Sequence, residues 1–169
     1  MTLQTFTVVH VIITLIAITT SFIVMFGMLG GHRLPAWTAI CLLFTVLTSV
    51  TGFMFPIKGF TPALGTGIVS SVLLIAALIA LYAKHLRGAW RWIYVVTAVA
   101  AFWINFFVLI VQSFEKVSLL NPAAPQLGPP FPEPVNTDFA IAQAVALAFF
   151  IVVGVVAVIR FRPAPTAAL

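Results

Sequence analysis

Five polar side chains inside otherwise apolar stretches could do chemistry: His10, Thr48, Asn105, Gln112 and Gln143. An imidazole can ligate a metal or haem iron, or take up a proton. Amides and a hydroxyl can hold a neutral ligand by hydrogen bonds. Asn105 and Gln112 are seven residues apart, so a helix places them on one face, two turns apart. His10, Thr48, Gln112 and Gln143, with Thr51 and Ser70, fall toward the same end of their apolar segments. Together they describe a small pocket in one leaflet for a neutral or weakly polar molecule. The competing reading is plain interhelical hydrogen bonding, which in a membrane contributes about 0.6–2 kcal/mol per contact. That reading is the commoner use of buried amides and hydroxyls.

A haem held by two histidines needs a second imidazole at the depth of His10. His32 and His85 belong to the opposite end, where they can approach each other with Cys41 less than two turns inside. Their spacing matches no zinc pattern. No metal and no cofactor is therefore expected, and haem b or a quinone near His10 and Trp103 is the residual redox option. The chain has no HExxH pattern, no Gly-rich phosphate loop and no nucleophile elbow. No apolar segment holds a carboxylate for a proton relay or a lysine for a Schiff base. No catalytic residue is expected, and the chain does not read as an enzyme.

These side chains must be positioned by helices in a bilayer. Of 169 residues, 63% are hydrophobic and 7% charged, against about 25% charged in soluble domains. No soluble fold of this size could hide so much apolar surface from water. The fold expected is all-α, a single domain of five transmembrane helices over residues 6–29, 36–56, 64–84, 90–116 and 138–160, each near the ~20 residues a crossing needs. The first segment lacks the basic start and short core of a secretory signal, and reads as a retained helix. Continued to Leu120, the fourth helix would be roughly 46 Å long. The last connection, about 117–137, carries six of the eleven prolines: Pro122, Pro125, Pro129, Pro130, Pro132 and Pro134. Proline at that density excludes helix and favours extended backbone.

Charge orients the bundle. Arg33, Lys84, Arg87, Arg91, Arg160 and Arg162 flank one side of the segments, while Glu115, Glu133 and Asp138 flank the other with Lys58 and Lys116. The positive-inside rule puts the N-terminus outside and the C-terminus in the cytoplasm, leaving the proline-rich loop extracytoplasmic. Trp37, Tyr82, Trp90, Trp92 and Tyr94 gather at the cytoplasmic ends as an interfacial belt. The net charge of +5 is thus a topology signal, and no nucleic-acid partner is implied. The partners expected are the lipid bilayer and a membrane protein, either another subunit or a second copy.

Stripes of small or polar residues at spacings of three and four mark the faces expected to turn inward. They are His10, Thr14 and Ser21; Thr38, Cys41, Thr45, Thr48 and Gly52; Thr66, Ser70, Ala77 and Ala80; Tyr94, Ala98, Ala101, Asn105 and Gln112; and Ala140, Gln143, Gly154 and Ala157.

The runs RWIYVVTAVAAFWINFFVLIVQSFEKV and SVTGFMFPIKGFTPALG, and the closing RFRP, resemble a group of small five-helix proteins of the bacterial inner membrane. The likeness covers most of the chain. It implies the fold and the inner-membrane location, and carries no activity, cofactor or catalytic residue. The proline-rich loop is longer here than in that group. Three functions follow as expectations: an accessory or structural subunit or homo-oligomeric bundle; a channel or carrier for a small neutral solute; and a haem- or quinone-binding redox subunit.

Overall fold

Threonine and proline start the helices. In the computed structural model, which describes residues 2–56, 59–117, 120 and 137–162, the Thr2 hydroxyl accepts from Thr5 N–H at 3.2 Å and opens α1, Leu3–Leu29. Thr61 does the same for Leu64 N–H at 3.2 Å and opens α3, Pro62–Leu78, with Pro62 in the first turn. Pro35 begins α2, Pro35–Phe53. These caps satisfy backbone donors that lipid could not. They also start α1 and α3 two to three residues before the boundaries expected from hydropathy.

α1 ends in a paired turn. His32 N–H reaches Gly27 O at 2.9 Å and Gly31 N–H reaches Met28 O at 3.0 Å, the Schellman arrangement. Gly31 adopts φ +75, which a residue with a Cβ resists. α2 stops at Phe53, earlier than the expected residue 56, where Met54 N–H turns back to Thr51 O. α3 widens into one π turn, Ile79–Ala83. α4 runs Trp90–Lys116 and stops there because Val117 is extended. At 27 residues it is about 40 Å long, not the 46 Å of a helix continued to Leu120. α5 is Thr137–Arg160, with Asp138 in its first turn and Arg160 in its last, each favoured by the helix dipole. Lys58, Glu133 and nearly all of the proline-rich connection lie outside the described residues.

Among the described residues five helices, α3 taken together with its π turn as Pro62–Ala83, are long and apolar enough to cross a membrane. This is the architecture of a multi-pass, helical-bundle membrane protein. α1 lies along α2, α2 touches α3, and α4 packs between α3 and α5 while also meeting α1. α5 closes the ring on α1. α4 is the central member, with 44% of its apolar window buried against 22% for α2 and for α5. Its inward face carries Tyr94, Ala98, Ala101 and Asn105. Cys41, Thr45, Ser70, Ala77 and Ala80 turn in from α2 and from the α3–π segment. Small side chains let the backbones approach, which is what packing in lipid requires.

The expected interior stripe of α5 holds for Ala157, which is fully buried, and for the half-buried Gln143 and Gly154. Ala140 departs from it and is exposed. Its neighbours at four-residue spacing, Ala144 and Ala148, are exposed as well.

The basic residues meet at one end. Arg91 binds the carbonyls of Val158 and Phe161, and Arg160 reaches Leu29 O at 3.5 Å, which ties the start of α4 and the ends of α1 and α5 together. Glu115 and Asp138 lie at the other end, where Phe114 and Phe139 stack edge to face at 5.5 Å. Trp37, Tyr82 and Trp92 are exposed around the basic end.

Candidate functional site

Hydroxyls in the spans mostly bond to their own helices. Thr14 donates to His10 O at 2.8 Å, Thr45 to Cys41 O at 2.7 Å, and Thr48 to Phe44 O at 2.9 Å. The carbonyl of the preceding turn is the acceptor within reach of each of these hydroxyls. Thr48 therefore has its proton committed.

His10 is held across the α1–α2 contact. Thr51 Oγ1 donates to Leu47 O at 2.7 Å and so accepts from His10 Nδ1 at 2.7 Å. That assigns the ring proton to Nδ1 and leaves Nε2 as an acceptor. The ring meets Phe55 edge-on at 5.2 Å. Gly52 leaves room beside it, since a Cβ there would sit 3.7 Å from His10 Cε1.

The amides form a second group on α4 and α5. Gln143 Nε2 donates to Phe107 O at 3.2 Å, bridging the two helices, and Gln112 Nε2 donates to Glu115 Oε2 at 3.1 Å. Asn105 is buried at mid-depth, and among the described residues its Nδ2 has no hydrogen-bond partner. Ser70 Oγ, Trp103 Nε1 and Gln143 Oε1 are also buried without a hydrogen-bond partner among the described residues. Ser70 lies about 20 Å from the basic end along α3 and Asn105 about 22 Å along α4, so these two share a depth.

The five sequence candidates thus separate into His10 at the α1–α2 contact with Thr48 bonded within α2, and Asn105, Gln112 and Gln143 along α4 and α5. Among the described residues no hydrogen bond joins the two groups. None of the five lines either of two cavities in the bundle. The first, at the junction of α1, α4 and α5, is walled by Ile18, Ser21 and the rings of Phe22, Phe102, Phe106 and Phe150. It holds about 10 Å³, at the lower limit for one water.

The second cavity is at the basic end and holds about 520 Å³, within the ~300–1,000 Å³ of small-molecule sites. Val24 and Met28 of α1, Leu34, Pro35 and Thr38 at the start of α2, and Leu81 of the π turn form part of its wall. Tyr94 and Phe161 face it from α4 and the end of α5. His32, Arg33, Tyr82 and His85 supply its polar groups from the helix ends and loops. The two histidines of this end do line one space. Cys41 does not line it and instead meets Ser21 Oγ at 3.3 Å. Among the described residues no group of three metal-ligating side chains occurs.

The lip of this cavity is strained. His85 and Leu86 are consecutive non-glycine residues at φ 51 and 59, separated from the π turn by Lys84 alone. Such residues cost roughly 1–3 kcal/mol each and concentrate at functional sites, as π turns do. Sequence reasoning assigned Arg33 to topology and Tyr94 and Thr38 to packing. The signal it passed over is the convergence of an arginine, two histidines and two tyrosines on one end of the bundle.

No family model, curated protein or solved structure matches this chain.

Proposed function

We propose that this chain is a small multi-pass protein of the bacterial inner membrane, with its N-terminus outside and its basic end in the cytoplasm. It works as an accessory subunit or self-associating bundle rather than as an enzyme. The orientation rests on the six arginines and lysines at one end, with Lys116 the one other described cation. The observation that carries the association reading is the row Ala140, Ala144 and Ala148, exposed on α5. Four-residue spacing keeps the row on one face, and small residues at that spacing let two helix backbones come together in lipid. α5 packs with its other face on α1 and α4.

Native mass spectrometry in mild detergent tests this. The wild-type chain is expected to run as an oligomer or with a copurifying membrane protein, and Ala144→Phe to run alone with unchanged helix content. A wild-type monomer under every gentle condition contradicts the proposal, as does an Ala144→Phe variant that still associates.

A second reading, a carrier for a small neutral solute, is favoured by Ser70 Oγ and Asn105 Nδ2, two buried groups at one depth with no hydrogen-bond partner among the described residues. Asn105→Leu should then abolish solute flux into liposomes, and unchanged flux rejects that path.

A further inference from the structure

We infer that the cavity at the basic end binds an uncharged amphiphile, a carbonyl-bearing head carried on an apolar body. Its wall mixes two kinds of surface. Val24, Met28 and Leu81 supply hydrocarbon, and Thr38 and Tyr94 supply hydroxyls. Both hydroxyl-bearing residues are buried, one on α2 and one on α4, and their side chains interact. Thr20 and Thr45, which are also buried, each donate to a carbonyl of their own helix at 2.7 Å. Among the described residues Thr38 makes no such bond, and its hydroxyl is turned to Tyr94 instead. Two hydroxyls carry two hydrogens and their mutual contact uses one, so the pair keeps a donor for a third group.

The lip adds donors of the same kind. His32 and His85 each carry a ring N–H in either protonation state, and Tyr82 carries a phenolic O–H. Among the described residues no carboxylate lines the cavity to receive them. Carbonyls at the ends of α1 and the π turn already accept backbone bonds, from His32 N–H to Gly27 O and from Leu86 N–H to Ala80 O. A ligand that brings its own acceptor therefore suits this wall, and one carbonyl oxygen can accept two such bonds. Arg33 already interacts within the chain, so a full negative charge would exchange water for dipoles and an engaged cation. A pure hydrocarbon would leave the donor of the hydroxyl pair buried and unmet. A carbonyl on an apolar body meets both kinds of surface. The π turn and the left-handed pair His85 and Leu86 place Tyr82 and His85 on the lip, so the strain in the backbone falls at the site. This inference is independent of the association face on α5.

The test is a titration of the delipidated full chain, in a mild non-ionic detergent, followed by native mass spectrometry. The probes are decylubiquinone, dioleoylglycerol, dioleoylphosphatidylglycerol and squalene. The first two carry carbonyls on an apolar body without charge, the third adds a phosphate to the second, and squalene has no polar atom. One equivalent of decylubiquinone or of dioleoylglycerol is expected to bind at least about tenfold more tightly than the phospholipid or squalene, the size of one hydrogen bond made in place of a donor left unmet. Tighter binding of the first marks a quinone as the natural source, and tighter binding of the second a glyceride. Thr38→Val and Tyr94→Phe remove one hydroxyl each at nearly constant volume, and each should weaken binding about tenfold. Thr19→Val, which removes an exposed hydroxyl from α1, should change nothing. Equal binding of the phospholipid or of squalene, wild-type affinity in both cavity variants, or an equal effect of Thr19→Val would overturn the inference.

Discussion

Arg91 ties the start of α4 to the end of α5, so its removal is the most informative perturbation of the fold. Its Nη1 donates to Val158 O and to Phe161 O, each at 2.7 Å. Both acceptors are carbonyls at the end of α5, where no further turn of helix would satisfy them. Charge-assisted hydrogen bonds are worth about 1.5–3 kcal/mol each, and Arg91 is half-buried, so water replaces part of the loss. Arg91→Met keeps the apolar stem in place and should cost about 2–3 kcal/mol in all. For a chain of this size that is a fall in Tm of about 4–12 °C. Cys41 is the sole cysteine and is fully buried, so thiol labelling along a temperature ramp in mild detergent reports unfolding directly. Arg91→Lys keeps the charge but not the planar guanidinium, and should recover only part of the loss. A fall below about 1 °C for Arg91→Met would refute the account of this end, because two carbonyls would then be unpaired at no cost. Full recovery by lysine would show that charge alone matters.

Gly31→Ala forces a Cβ into a left-handed conformation, with Arg160 O 3.3 Å away. It should lower stability by about 1–2 kcal/mol in the same labelling ramp, and Gly30→Ala, at an ordinary helical φ, by less. Thr51→Val removes the acceptor of His10 Nδ1 and should cost about 1 kcal/mol, whereas Thr51→Ser should keep the imidazole N–H signal protected in an NMR exchange experiment. An unprotected signal in the wild-type chain would remove the assigned tautomer.

Much of the fold was legible because lipid imposes simple rules. Five apolar runs became five helices, and the charges sorted to the two ends. Small residues at spacings of three and four marked inward faces for Thr38, Cys41 and Thr45, for Ser70, Ala77 and Ala80, and for Ala98, Ala101 and Asn105. Ala140 was misplaced because alanine carries no signal separating an inward face from an outward one. Helix ends depended on single caps, Thr2 and Thr61, that a hydropathy window cannot resolve. The π turn was not legible, since IALYA contains neither glycine nor proline. The pairing of His10 with Thr51 spans 41 positions, and spacing along one helix cannot disclose it. The basic-end cavity is assembled from α1, α2, the π turn, α4, the loops between them and Phe161 beyond α5, and its residues look individually like topology signals or packing groups.

The central claim is that this bundle is inserted with its basic end in the cytoplasm, since the orientation of the cavity and of every interface depends on it. A reporter pair fused after Leu169, one partner active only in the cytoplasm and the other only outside it, tests the claim directly. The account predicts cytoplasmic activity alone. Activity of the external reporter alone would contradict it, because the six cations at that end would then lie across the membrane from the side the positive-inside rule assigns them.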